Sequence, residues 1–375
     1  MNYKEDLSKD LILRQRKLQK VMQSKNIEAC ILSTAVNVFY MTGCVYNGYF
    51  YLPAEGDPLH FVKRPEGINF DGTIYIRKPE QIVEELQKRG SFIPKCILLE
   101  TDVLSFGECT RLLKTFNLES AENASTLMRS IRSIKTTFEL EQIKICARKH
   151  EAVYKLIPEV YKPEMTDIEL QIEIEQLMRL HGSLGIFRSY GENMDIYMGS
   201  LLAGENAEAP SPFDFALGGL GTNPILPLGA SGQKILKGQT IMVDMAGNYT
   251  PWMTDMTRVF SVGKTLDIAY KAHQVSIDIH NCIMDICKPG TSCAELYNIS
   301  MEMVKKNNLE PFFMGTKQQA KFVGHGVGLE INEPPVLTPR SKEILEPNIV
   351  FALEPKFVIP EVGAVGIENT YTVTN

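Results

Sequence analysis

The chain has 375 residues, of which 44% are hydrophobic and 22% charged, with a formal net charge of −6. These values describe an ordinary folded protein large enough for two domains. They exclude a basic surface for nucleic acid and a polybasic membrane anchor, and no apolar run reaches the length of a membrane span.

The N-terminus, MNYKEDLSKDLILRQRK, is charged rather than signal-like. Residues 7–25 place Leu11, Leu13, Leu18, Val21 and Met22 among Lys, Arg and Gln, which predicts an amphipathic helix. A short buried strand follows over 27–32, and Gly43 punctuates the next stretch. Two strands over 46–51 and 59–62 flank the turn at 54–58. A helix over 79–89, a strand over 95–99 and a helix over 106–114 complete an alternating α/β pattern of about 125 residues. This part contains no Gly-rich phosphate loop.

Thr136-Thr137-Phe138-Glu139 has the form of a capping box and predicts a long helix to about residue 156. Thr166-Asp167-Ile168-Glu169 is a second such box, and Ser292-Cys293-Ala294-Glu295 a third. Each of the latter two follows Lys-Pro, lies between two helices and leads toward a β-rich segment. The C-terminal part therefore reads as helix, helix, hairpin, repeated once. Residues 182–232 are rich in Gly, Pro, Ala and Ser. A loop of that length is functional or hides short strands, and this one precedes the first hairpin.

That hairpin is IMVDMAGNYTPWMTDMTRVF, residues 241–260, turning at Gly247-Asn248 and Pro251. Asp244 and Asp255 are symmetric about its middle. Symmetric pairing would put them opposite each other, ~5 Å apart, where two carboxylates repel unless a cation lies between them. The C-terminus repeats the device. In ALEPKFVIPEVGAVGIENTYTVT, Glu354 and Glu368 are symmetric about the turn at 360–363. Between the hairpins, Gly324-His325-Gly326-Val327-Gly328 sets one His among glycines. Two Asp, one His and two Glu form a hard, oxygen-rich set suited to Mn, Fe, Co or Zn. Burying such acids in apolar strands without a partner would be costly.

VDMAG, TDMTR, GHGVGLEINEPP, LEP and IEN, in this order and spacing, resemble the pita-bread metallopeptidase family, which includes aminopeptidase P, prolidase and creatinase. The resemblance implies an α/β N-terminal domain plus an α+β pita-bread (creatinase/aminopeptidase-like) C-terminal domain, with the boundary at 128/129. It implies one or two divalent ions held by Asp244, Asp255, His325, Glu354 and Glu368. Asp255 and Glu368 would bridge two ions, and Glu354 would also act as the general base toward a bridging water. The implied activity is exopeptidase hydrolysis of Xaa-Pro dipeptides or short peptides by a homodimer. A cytoplasmic location is expected, because the eight cysteines show no tight metal spacing and Cys282, Cys287 and Cys293 read as reduced core thiols.

The chain departs from the family in two substrate-binding positions. Leu228 and Asn332 stand where the family carries His. Leu228 cannot hydrogen-bond, and Asn332 cannot carry a proton at neutral pH. The remaining histidines, 60, 150, 181, 273 and 280, read as structural or surface residues. The lost histidines keep two alternatives open: a non-peptidase hydrolase or lyase of a small molecule on the same scaffold, or a catalytically weak binding protein.

Overall fold

The computed structural model describes residues 3–191, 196–213 and 215–375. The chain forms two compact units, Met1–Arg132 and Ser133–Asn375. No described helix is long and apolar enough to cross a membrane.

The first unit is built on a mixed sheet of six strands. Their order across the sheet is Thr73–Tyr75, Leu59–Arg64, Asn47–Pro53, Ala29–Leu32, Ile97–Leu99 and Glu122–Asn123. The expected strands pair as a hairpin, with Tyr51 opposite Leu59. The buried strand Ala29–Leu32 lies centrally, antiparallel to one neighbour and parallel to the other. Helix Tyr3–Ser24 buries Leu18 and Met22, two of the apolar residues that predicted it.

The second unit carries the repeated arrangement. Helices Thr137–Tyr154 and Asp167–Leu180 precede a three-stranded sheet of Gly199–Ala203, Thr240–Gly247 and Thr254–Ser261. Helices Asp267–Ile286 and Cys293–Lys306 precede the strands Val350–Leu353, Lys356–Ile359, Gly363–Gly366 and Asn369–Thr372. The capping boxes at Thr136 and Thr166 are both complete, with hydroxyl and carboxylate each closing on a backbone N–H. The third is not. Ser292 begins its helix, but its hydroxyl makes no cap bond. The glycine-rich segment does hide a strand, since Gly199–Ala203 pairs with the first hairpin and sets Ser200 opposite Asp244.

The register of the first hairpin corrects the symmetric expectation. Asp244 pairs with Thr257, and Asp255 with Ala246. The pairing is offset by two residues from symmetry. A two-residue offset keeps both carboxylates on one face, because side chains alternate with period two, but makes them diagonal neighbours at about 7–8 Å instead of ~5 Å. The turn supplies the reason. Asn248, Tyr249, Trp252 and Met253 are buried rather than exposed, and the Trp252 indole donates to Glu139 at 3.2 Å. The turn is shaped by packing in the core, not by the tightest local geometry.

In the second hairpin the expectation holds. Leu353 pairs with Asn369 and Lys356 with Gly366, a register that sets Glu354 across from Glu368 between the two ladders. The two hairpins are stitched together. Glu368 N–H donates to the Thr257 carbonyl, the Thr257 hydroxyl to Glu368, and the Thr370 hydroxyl both donates to the Asp255 carbonyl and accepts from its N–H.

Candidate metal centre

His325 lies on the short strand Gly324–Gly326, which pairs with Val350–Leu353 and puts His325 opposite Ala352. The strand on its other side passes so close that a Cβ at residue 326 would collide with the Pro334 carbonyl, which explains a glycine there. Behind it, the buried Glu333 carboxylate accepts the N–H groups of Leu329 and Glu330 and pairs with buried Lys135 at 3.0 Å. That pair fixes the loop following the histidine.

All five residues expected from the sequence meet in one cluster. Asp244, Asp255, Glu354 and Glu368 are buried and His325 is half-buried. His325 Nε2 stands 3.3 Å from Glu354 Oε1 and 3.7 Å from Asp255 Oδ2. Ligand atoms of Asp255, His325 and Glu368 all lie within 4.8 Å of one another.

A sixth member was not expected. The Lys356 ammonium reaches Asp244 Oδ2 at 2.8 Å, Glu354 Oε2 at 2.7 Å and Glu368 Oε2 at 3.0 Å. Its side chain is 1% exposed. The signal was present in the sequence. Lys356 follows Glu354 by two residues in an extended segment, so both side chains leave the same face.

The cluster still holds more acid than its cations balance. Burial and the neighbouring Asp244 charge push the Asp255 carboxyl up, and burial with the charges of Asp255 and Glu354 raises Glu368 well above the carboxylate range. Glu354 behaves oppositely. Burial would raise it, but the Lys356 charge and the hydrogen bond from His325 outweigh this and hold it ionised. For His325 and Lys356, burial disfavours the cations, and the surrounding carboxylates more than compensate. Four carboxylates face one ammonium and one imidazole, so ionising Asp255 and Glu368 is disfavoured unless another cation enters.

The residues fit such a cation at one place. Glu368 Oε2 is occupied by Lys356 and Thr257, while its buried Oε1 has no partner. Glu368 thus keeps an unpartnered oxygen, and the convergence of Asp255, His325 and Glu368 offers two oxygens and one nitrogen for a divalent ion of the Mn, Fe, Co or Zn type.

The family model for metallopeptidase family M24 matches residues 141–375, and that for the creatinase/prolidase N-terminal domain matches residues 14–134. The chain belongs to metallopeptidase family M24. Among its M24 relatives, the Xaa-Pro dipeptidase of Pyrococcus furiosus is 26% identical, with 96% of this chain and 95% of that protein covered. The Xaa-Pro dipeptidase of Pyrococcus horikoshii is 25% identical, covering 96% of this chain and 93% of that protein. Solved structures share the fold. The prolidase from Pyrococcus horikoshii superposes with a TM-score of 0.76 at 20% identity, covering 96% of this chain and 95% of that one. The Xaa-Pro dipeptidase from Bacillus anthracis gives 0.78 at 20% identity, covering 97% and 95%.

The structure places both positions expected to depart from the family pattern. Leu228 is buried and presents only hydrocarbon. Asn332 donates through Nδ2 to the Tyr190 carbonyl and accepts the Tyr190 N–H through Oδ1, each at 2.8 Å. Ile331 N–H likewise donates to the Arg188 carbonyl. Nearby, Asn248 Oδ1 accepts from the Ser183 hydroxyl and the Gly185 N–H, and its Nδ2 donates to the Ile186 carbonyl. Two asparagines thus hold the segment 183–190 against the loops of both hairpin halves. Four of the other histidines lie in packed settings. His150 contacts Thr254, His280 contacts Tyr371 and the Ile367 carbonyl, and His60 contacts Tyr46. His273 accepts the Gly366 N–H, and His181 lies exposed at a helix end. All eight cysteines are free.

Proposed function

We propose that the chain hydrolyses Xaa-Pro dipeptides at a divalent-metal centre. The observation that carries this reading is the convergence of Asp255, His325 and Glu368, the last with an unpartnered buried oxygen, in an M24 unit. Relatives named Xaa-Pro dipeptidase that align over 96% of the chain support the substrate class.

The ion would supply a lowered water pKa and a polarised scissile carbonyl. The chain's own residues do the rest. Glu354 is held ionised and accepts a proton from the attacking water. Lys356 orients that carboxylate, but its charge also lowers the carboxylate's basicity, and a base works best with a pKa near the operating pH. Thr257 and Lys356 fix Glu368, so the cluster keeps its geometry through the reaction. Leu228 offers no donor to the developing oxyanion, and Asn332 already spends its amide on Tyr190. One missing oxyanion donor typically costs ~10²–10³ in kcat. Turnover of Xaa-Pro substrates should therefore be slow for this family.

The same feature favours a second reading. A buried leucine at 228, where a histidine was expected, suits hydrolysis of a small, non-peptide substrate on the same centre. A panel of Ala-Pro, other Xaa-Pro dipeptides and Pro-containing tripeptides, assayed with Mn, Co, Zn or Fe and with chelator, separates the two. Metal-dependent release of free proline supports the dipeptidase reading. A metal-loaded protein that cleaves none of them refutes it in favour of the second. We further infer a cytoplasmic homodimer; light scattering of the purified chain checks the dimer, and cell fractionation the location.

A further inference from the structure

We propose that Lys356 is a built-in cation that takes the place of a second divalent ion, so that each chain binds one ion, at Asp255, His325 and Glu368. The geometry of the ammonium carries this. It has three N–H donors and three carboxylate partners at 2.7–3.0 Å, one from each of Asp244, Glu354 and Glu368. Every donor is matched and no further ligand is called for. A transition-metal ion would need those same oxygens at about 2.0–2.2 Å. An ion there would also lie against a positive charge in a buried setting, where repulsion is poorly screened.

Lys356 is not free to withdraw. Its backbone sits in the ladder opposite Gly366, and its carbonyl accepts the Met314 N–H at 2.8 Å. At residue 366 a Cβ would collide with the neighbouring Pro355 carbonyl, so the two strands run in tight contact. The side chain is buried along its whole length, so its ammonium cannot reach water by bending at its tip. Asp244 shows the result. It belongs to the sequence-defined set of five, yet it falls outside the group whose ligand atoms converge, and its Oδ2 closes on the ammonium instead.

Ion counting tests this without any substrate, so its outcome is independent of which bond the enzyme cleaves. Chelator-treated protein is loaded with Mn(II), desalted and measured by elemental analysis and native mass spectrometry. The expected result is one ion per wild-type chain, one per Lys356→Arg chain and two per Lys356→Ala chain at the same free Mn(II). The electron paramagnetic resonance spectrum of the Mn-loaded wild type should be that of an isolated ion. This measurement decides even if Lys356→Ala fails to fold. Two ions in the wild type, an exchange-coupled pair in its spectrum, or a single ion in folded Lys356→Ala would overturn the inference while leaving the peptidase reading standing. A wild type that binds no ion would overturn both.

Discussion

The two ends of the acidic cluster meet the same electrostatic problem in different ways. At one end, Asp255, His325 and Glu368 converge with a buried carboxylate oxygen unpartnered. At the other, Asp244, Glu354 and Glu368 close on a lysine supplied by the chain itself. The first end is short of a cation until one arrives from solution. The second is complete as soon as the chain folds. Glu368 belongs to both, so the covalent cation holds in place the carboxylate that the open end requires. On this reading, a metal-binding pattern legible in the sequence does not by itself fix how many ions the folded site accepts.

The comparison can be broken most sharply at its open end. Asp255→Ala removes a carboxylate there. Its ion affinity should fall by more than the ~10–100-fold that even outer-shell partners command, and proline release should stop with it. Titration calorimetry with Mn(II) measures this directly, and retention of wild-type affinity would remove Asp255 from the site.

The closed end should respond in stability before it responds in binding. Lys356→Met in chelator leaves three buried carboxylates without their cation, at a cost of about 3–5 kcal/mol in denaturant unfolding. Added divalent ion should recover much of that loss, and should stabilise the variant more than the wild type. Equal stabilisation of both would mean that the lysine and an ion do not compete.

A smaller effect is expected where the site meets the segment 183–190. Asn332→Ala removes two part-buried hydrogen bonds to the Tyr190 backbone, costing about 0.5–1.5 kcal/mol each. Limited proteolysis should then cut near residue 190 at lower protease concentration, with ion content unchanged. Altered ion content would place Asn332 closer to the metal centre than its hydrogen bonds indicate.

The smallest effect lies outside the cluster. Burial lowers His150 to about 3, and His60 and His280 to about 4. In the unfolded chain these groups protonate below pH 6.5, whereas in the fold they stay neutral. The unfolded state therefore takes up more protons as the pH falls, and stability declines from pH 6.5 toward the folded-state values. For His150 alone the loss at pH 5.5 is about 1 kcal/mol. His150→Gln should flatten the stability profile between pH 6.5 and 5 without changing ion content. An unchanged slope would show that His150 is not held neutral.

Local chemistry made much of this legible in the sequence. Thr136 and Thr166, each with a Glu three residues on, start helices because hydroxyl and carboxylate satisfy N–H groups within one turn. Ser292 has the same pattern, yet its hydroxyl makes no cap bond, and nothing local in the sequence distinguishes it. Period-two alternation fixed which residues share a face. Asp244 and Asp255 stay on one side of the first hairpin even though their register is offset, and Glu354 and Glu368 face each other across the second. The order of the four acids and the histidine was enough to specify the family.

Only the tertiary structure decided how those residues are used. The register of residues 240–261 depends on a turn buried against Glu139, more than a hundred residues earlier in the chain. The role of Asn332 depends on Tyr190, whose backbone claims both ends of its amide. Lys356 shares a face with Glu354 by spacing alone, and a lysine on a strand ordinarily extends its ammonium into water. Here its three carboxylate partners arrive from the first hairpin, from its own strand and from the returning strand, and the packed core leaves no path outward. Alternation along a strand is a property of the backbone and can be read residue by residue. The charge surrounding an ammonium is the sum over segments that only folding brings together.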